Sequence, residues 1–211
     1  MEDVDDLVVL AADKQMQETV RGLLSRPRAF EIHSISFTVY SHPNKDPGCR
    51  REAHQFLRPF HADFRHGLVL LDYKGCGVSR TSSPDEIESS VEERLQRSGW
   101  DERARCVVID PELEVWVWSE SPEVDRCLGW EKVPQRVQEW LRANDRWPDD
   151  ATKPPEPKDS LEEVLKEVRQ PRSSSLFREL AESVSLRRCE DESFRRFRRI
   201  LQAWFPPSWQ Q

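Results

Sequence analysis

Leu7-Val8-Val9-Leu10-Ala11-Ala12-Asp13 is an unbroken apolar run that stops at a carboxylate. The same figure returns in Gly67-Leu68-Val69-Leu70-Leu71-Asp72 and in Cys106-Val107-Val108-Ile109-Asp110-Pro111-Glu112-Leu113-Glu114. Apolar runs of this kind, without polar alternation, read as strands buried on both faces, the condition of a parallel sheet covered by helices. Ligands of such sheets collect in the crevice beyond the carboxyl ends of the strands, so acids at three strand ends are expected to converge there. Converging carboxylates repel one another, and a divalent cation between them is the usual remedy. Asp also follows strands for a local reason, because it makes turns and caps helices, and that plainer reading stands beside the chemical one.

Outward from these runs, strand and helix alternate. Met16, Val20, Leu23 and Leu24 fall at helical spacing and stop near Ser25-Arg26-Pro27. Ile35, Phe37 and Val39 alternate with Ser34, Ser36, Thr38 and Tyr40, which predicts a half-exposed outer strand ending in the turn-rich His42-Pro43-Asn44-Lys45-Asp46-Pro47-Gly48. Ala53, Phe56, Leu57 and Phe60 mark a second helix. Ser83-Pro84-Asp85-Glu86 combines an N-cap, a proline at the first helical position and a glutamate three residues after the cap, with Ile87, Val91 and Leu95 on one face behind it. Leu113-Glu114-Val115-Trp116-Val117-Trp118 suits strand or buried helix, and Asp110-Pro111, resembling a cap and first helical position, favours helix. Short helices follow at Ser121-Pro122-Glu123 and around Val133, Val137, Trp140 and Leu141.

The expected organisation is therefore a βαβαβαβα domain over 1–145, a proline-rich linker over 146–159 and an all-helical extension over 160–211. The extension carries apolar faces at Leu161, Val164, Leu165 and Val168, at Leu176, Leu180 and Val184, and at Phe194, Phe197, Ile200, Leu201 and Trp204. A few short helices bury little surface alone, so it is expected to dock on the first domain.

A chain of 211 residues with 34% charged side chains but 8 Trp and 9 Phe carries enough large apolar groups to fold. A net charge of −7 argues against general adhesion to nucleic acid or membrane. No stretch approaches a membrane span, and Met1-Glu2-Asp3-Val4-Asp5-Asp6 lacks the basic region of a secretory signal, so a cytoplasmic protein is expected. The five scattered cysteines, without a Cys-x-x-Cys pair, fit free thiols.

Asp13, Asp72 and Glu114 are the candidate metal-binding and catalytic set, since a few carboxylates hold Mg²⁺, which neutralises phosphate charge and activates water. Lys74 stands where a metal-binding Asp-x-Asp would place its second acid; with Lys14 and His42 it is a candidate contact to substrate phosphate. Glu18 reads as a solvated helix residue or a supporting acid. His42, Asp46, Cys49 and His54 mix zinc-ligand types but match no zinc spacing. His61 and His66 read as surface or packing residues, and Gly75-Cys76-Gly77 is too short to cradle phosphate. Arg187, Arg188, Arg195, Arg196, Arg198 and Arg199 offer a nucleic-acid surface or, more commonly, a solvated face with stems over apolar surface. Trp116, Trp118, Trp130, Trp140, Trp147, Trp204 and Trp209 read mostly as core or interface.

The phrases Leu10-Ala11-Ala12-Asp13-Lys14, Asp46-Pro47-Gly48-Cys49, Asp110-Pro111-Glu112-Leu113-Glu114-Val115-Trp116, Pro171-Arg172-Ser173-Ser174 and Ser193-Phe194-Arg195-Arg196-Phe197 give the chain a resemblance. It resembles the TOPRIM-like proteins of bacterial defence islands, in particular a small subunit of the methylation-associated antiphage defence system. The resemblance implies a TOPRIM-like α/β fold, a mostly parallel sheet flanked by helices, with the C-terminal all-helical extension beyond it. It also implies Mg²⁺-dependent chemistry on DNA, and partners among the other subunits of the system. Asp13 then stands at the first acid, Asp72 at the first Asp of Asp-x-Asp, and Glu114 at the Glu before Val-Trp. Asp13 departs from the family's Glu, and Lys74 departs from its second Asp. Two readings stay open: a metal-dependent nuclease acting on foreign DNA, and a catalytically degenerate subunit that joins a defence complex through a Trp-rich surface and the arginine helix. A receiver-like phosphoacceptor at Asp72 ranks below both, because the lysine expected after a final strand is missing and Glu114 would have no role.

Overall fold

Four strands, β1 (Asp5–Ala11), β2 (Phe37–Ser41), β3 (Phe64–Asp72) and β4 (Ala104–Ile109), form one all-parallel sheet in the order β2-β1-β3-β4. The structure, a computed structural model, describes residues 4–78 and 82–207 apart from the side chain of Arg188; Trp209 and Met1 to Asp3 lie outside them. Central β1 and β3 are apolar throughout their middles because both faces are covered, Leu7 to Leu10 and Leu68 to Leu71 being wholly buried. At the edge, β2 buries only Val39, as its alternation predicts.

The helices are α1 (Lys14–Leu24), α2 (Pro27–Phe30), α3 (Lys45–Leu57), α4 (Pro84–Leu95), α5 (Pro122–Cys127), α6 (Val137–Ala143), α7 (Pro157–Glu167), α8 (Ser174–Ser183) and α9 (Glu192–Trp204). Right-handed crossovers put α1 on one face of the sheet and α3 and α4 on the other. On the α1 side, α9 lies against β4, its Trp204 stacks on His66 of β3 with ring centroids 4.4 Å apart, and its Phe194 and Phe197 pack on Phe30 of α2. α8 packs along α1, and α7 against the 3₁₀ turn Leu113–Trp116. Chain order runs from β1 out to β2, back across β1 to β3, and on to β4. The direction reverses between β1 and β3, which opens a crevice at their carboxyl ends.

Side chains close both sheet edges. The outward N–H groups of Cys106 and Val108 on β4 donate to Glu92 Oε1 and Glu88 Oε1 of α4, each at 2.8 Å. On β2, Val39 O accepts from Gln17 and Arg21 of α1. Exposed ladder groups invite pairing with another chain, and these contacts occupy them.

Two local expectations are corrected. The stretch read as a turn after β2 already contains the first turn of α3, where Pro47 loses no needed N–H. Gly48 is required there because a Cβ would come within 2.0 Å of His42 Nδ1. The segment after β4 forms only a 3₁₀ turn at Leu113–Trp116, and Asp110-Pro111 opens no helix. Instead Tyr73 N–H donates to Ile109 O (2.8 Å) and Lys74 N–H to Pro111 O (3.0 Å), two contacts that tie together the segments leaving β3 and β4 beyond the last ladder pair, Asp72–Ile109. Ser83 caps α4 with the reciprocal Glu86 bond, as the sequence predicts. All five cysteines are free and buried.

Gly22, inside α1, has no room for a methyl group: a Cβ would lie 2.8 Å from both Ala181 Cβ and the Arg178 carbonyl oxygen of α8. Gly→Ala within a helix usually gains about 1 kcal/mol. Here Gly22→Ala is expected to lose about 1–3 kcal/mol through overpacking. Urea denaturation checks the sign, and a stabilised variant would contradict the α1–α8 packing.

Candidate functional site

Each acid at the sheet end is placed by a local backbone requirement. Asp13 sits where β1 turns into α1, with extended backbone, and caps the helix by accepting from Met16 N–H at 2.9 Å. Asp46, in the first turn of α3, accepts the N–H of Asp72 at 2.8 Å and so finishes β3. The contacts between the segments leaving β3 and β4 then hold the chain that carries Glu112 and Glu114, both buried, beside Asp72.

Asp72 is the electrostatic centre of the group. Loss of solvent is the main cause that pushes its carboxyl well above the ordinary range; the charges of Asp46, Glu114, Asp13 and Glu112 push in the same direction. Its Oδ1 is buried without a hydrogen-bond partner among the described residues, as is Glu112 Oε2. Burial also raises Asp46 and Glu112, the latter against the opposing pull of Lys74. The Cys49 thiol is held far above its usual range by burial and then by Asp46, Asp13 and Asp72, which makes it inert at neutral pH.

Two cations of the chain answer these acids. Arg172, between α7 and α8, pairs with Glu114, and its other N–H groups reach Gln15 Oε1 of α1 (2.6 Å from Nη2) and Glu162 (3.4 Å). Its guanidinium lies 5.3 Å from the ring of Phe177. Lys74 points its ammonium at Glu156 (2.7 Å) and Glu112 (3.7 Å).

Asp13, Asp72 and Glu114 thus share one crevice; Asp13 Oδ1 and Glu114 Oε1 are engaged by other groups of the protein, while Asp72 Oδ1 has no hydrogen-bond partner among the described residues. Among the described residues no three His, Cys, Asp or Glu side chains are spaced to hold a metal ion. As arranged the donor set is closed in part: Met16 N–H takes Asp13 Oδ1, and the Arg172 guanidinium holds Glu114 Oε1, a positive charge where a cation would have to sit.

The remaining candidates lie as follows. Lys14 turns along α1 to Glu18 (2.9 Å) and Gln17 (3.0 Å). Glu18 joins Lys14, Arg21 (2.8 Å) and Arg178 (3.3 Å) in a network that ties α1 to α8. His42 is buried, its Nδ1 accepting from Asn44 N–H at 3.0 Å and its Nε2 lying 3.7 Å from Glu52; burial lowers its pKa. The arginine helix is engaged within the protein in part: Arg196 meets Asp85 (2.6 Å) and Glu88 (2.5 Å), Arg198 meets Glu31 (3.0 Å), and Arg199 meets Glu192 of the same helix (2.5 Å), while Arg195 is exposed. Trp100, Trp116, Trp118, Trp130 and Trp147 are buried, so the described residues present no Trp-rich surface. Asp46, Glu112, Glu156 and Arg172 were not assigned to the site by sequence reasoning. Asp46, Glu156 and Arg172 reach it through long-range contacts that leave no spacing signal, whereas Glu112 stands two residues before Glu114 in the quoted acidic run.

No family model and no curated protein matches the chain. Among solved structures, it is similar to the C-terminal region of the Xanthomonas campestris pv. campestris OLD protein at 15% identity and a TM-score of 0.51, over 94% of this chain and 93% of that one. At that identity the likeness is one of fold. The fold is the α/β, TOPRIM-like layout expected from the sequence: a parallel sheet flanked by helices.

The raised Asp72 carboxyl sets a pH dependence. Below about pH 4 Asp72 is protonated in folded and unfolded chains alike. As pH rises the unfolded chain ionises first while the folded one keeps its proton, so the contribution of Asp72 to the stability of the wild type falls with rising pH. Asp72→Asn removes this loss. Its stability relative to wild type is expected to grow between pH 4 and 7 in denaturant titrations, and a pH-independent difference would contradict the assignment.

Proposed function

We propose that this chain is a cytoplasmic, catalytically degenerate TOPRIM-like component of an antiphage defence system, acting as an interaction subunit beside the other proteins of that system. The observation that carries this reading is the Arg172–Glu114 pair, supported by Lys74 at the position of the second Asp. A cation-binding crevice needs open carboxylates, and here side chains of the same protein hold them. The resemblance in the sequence supplies the defence context, and the fold similarity to the OLD C-terminal region is consistent with it. No helix among the described residues is long and apolar enough to cross a membrane.

A second reading, a Mg²⁺-dependent nuclease on DNA using Asp13, Asp72 and Glu114, is favoured by one feature. Among the described residues Asp72 Oδ1 is a buried acceptor without a hydrogen-bond partner, and Glu112 Oε2 has only the Lys74 ammonium at 3.7 Å; buried acceptors left open are rare unless something is to bind them. On that reading Arg172 and Lys74 would have to leave the acids first.

Supercoiled and linear DNA incubated with Mg²⁺ or Mn²⁺ separates the two. Wild type, Arg172→Ala and Asp72→Ala are expected to leave DNA intact, and co-purification with the other defence proteins is expected to survive Asp13→Ala/Asp72→Ala. Metal-dependent cleavage by wild type that Asp72→Ala abolishes would establish the nuclease reading instead.

A further inference from the structure

A cavity of about 670 Å³ opens where the segment after the Leu113–Trp116 turn meets α6, the loop before α7 and the approach to α9. It shares no lining residue with the sheet-end acids. We infer that this cavity is a binding site for an arginine or lysine side chain carried by a basic segment of a partner protein.

The wall contains six carboxylates, Glu120, Asp149, Asp150, Glu190, Asp191 and Glu192, against three cations, Arg142, Lys153 and Arg187. Much of that charge is internally committed. The Lys153 ammonium bonds the carbonyls of Val115 (2.9 Å) and Trp118, Arg142 lies 3.8 Å from Asp149, Asp191 caps α9, and Glu192 pairs with Arg199. Asp150 and Glu190 are exposed at the rim and make no ion pair among the described residues. They stand on different segments, so a cation entering between them meets negative charge from two sides.

The second observation is Ser119. It lines the cavity, is only 4% exposed, and its hydroxyl has no hydrogen-bond partner among the described residues. Its backbone is satisfied, the N–H donating to Val117 O (3.0 Å) and the carbonyl accepting from Gln138 Nε2 (2.9 Å). A buried hydroxyl left open costs stability unless a donor or acceptor arrives, and a guanidinium or ammonium brings donors. Trp118 and Trp147 complete the wall, their rings 6.0 Å apart and both N–H groups already bonded to carbonyls. Both rings are almost wholly buried, and the Arg142 guanidinium lies 5.7 Å from the ring of Trp147, so they form the rigid apolar backing of the wall.

The site does not depend on whether the sheet-end acids bind a cation. The test uses the full chain and a labelled peptide of alternating arginine and glycine, followed by fluorescence anisotropy, with a glutamate–glycine peptide and free spermidine as comparisons. The arginine peptide is expected to bind at least tenfold more tightly than the acidic one. Asp150→Lys/Glu190→Lys should weaken it at least tenfold, Ser119→Ala by several-fold, and the charge-matched control Glu131→Lys/Glu167→Lys by less than twofold. Equal losses in both double variants would reveal general attraction to the net negative chain and overturn the proposal. So would spermidine binding without peptide binding, or no peptide binding at all.

Discussion

Carboxylates collected at the end of a covered parallel sheet cannot all remain charged without a counter-charge, and this constraint shapes the protein. Coulomb repulsion grows as solvent is excluded, and an ionised acid far from water is disfavoured even before its neighbours are counted. The chain answers in two ways. Protonation is favoured at Asp72, and protein cations are brought to Glu114 and Glu112. Arg172 lies between α7 and α8, so the counter-charge on Glu114 comes from the helical region that follows the α/β layers. Whatever holds α8 in place therefore also holds the crevice in its present state. Gly22 permits the close approach of α1 and α8, Arg26 donates to the carbonyls of Ala181 and Val184 at 2.8 Å, and Glu18 meets Arg178.

The same use of side chains to close exposed polar groups recurs at the sheet edges. Glu88 joins two layers at once: its Oε1 accepts from Val108 of β4, and its Oε2 meets Arg196 of α9. Burial still holds the Glu88 carboxyl up at about 7, so the pair with Arg196 offsets only part of its lost hydration. Arg196 and Arg198 of α9 are thereby structural ties to α4 and to Glu31. Fold similarity to the OLD C-terminal region is compatible with either reading of the crevice, because a fold hosts chemistry only where its site residues are present and free.

Much of the architecture was legible in the sequence because it rests on local patterns. Unbroken apolar runs marked β1, β3 and β4, alternation marked the edge strand β2, and the Ser83 capping box marked the start of α4. Reading failed where a distant partner overrode the local signal. Asp110-Pro111 has the composition of a helix start, yet Lys74 N–H holds the Pro111 carbonyl against the segment leaving β3. The turn-rich stretch around Asp46 hid a helix start because Pro and Gly suit a first helical turn as well as a loop. Of the site, the acids at strand ends were visible and their common crevice followed from topology. Arg172 was not, since it meets Glu114 across 58 positions of sequence and no periodicity encodes that contact.

The central claim is that cations of the protein, and not a bound metal, neutralise the sheet-end carboxylates. Titration calorimetry with Mn²⁺ on wild type and on Lys74→Asp/Arg172→Gln tests it most directly. The account predicts no binding to wild type at submillimolar Mn²⁺, binding to the double variant, and loss of that binding when Asp72→Asn is added. Saturable Mn²⁺ binding to wild type that Asp72→Asn abolishes would contradict it.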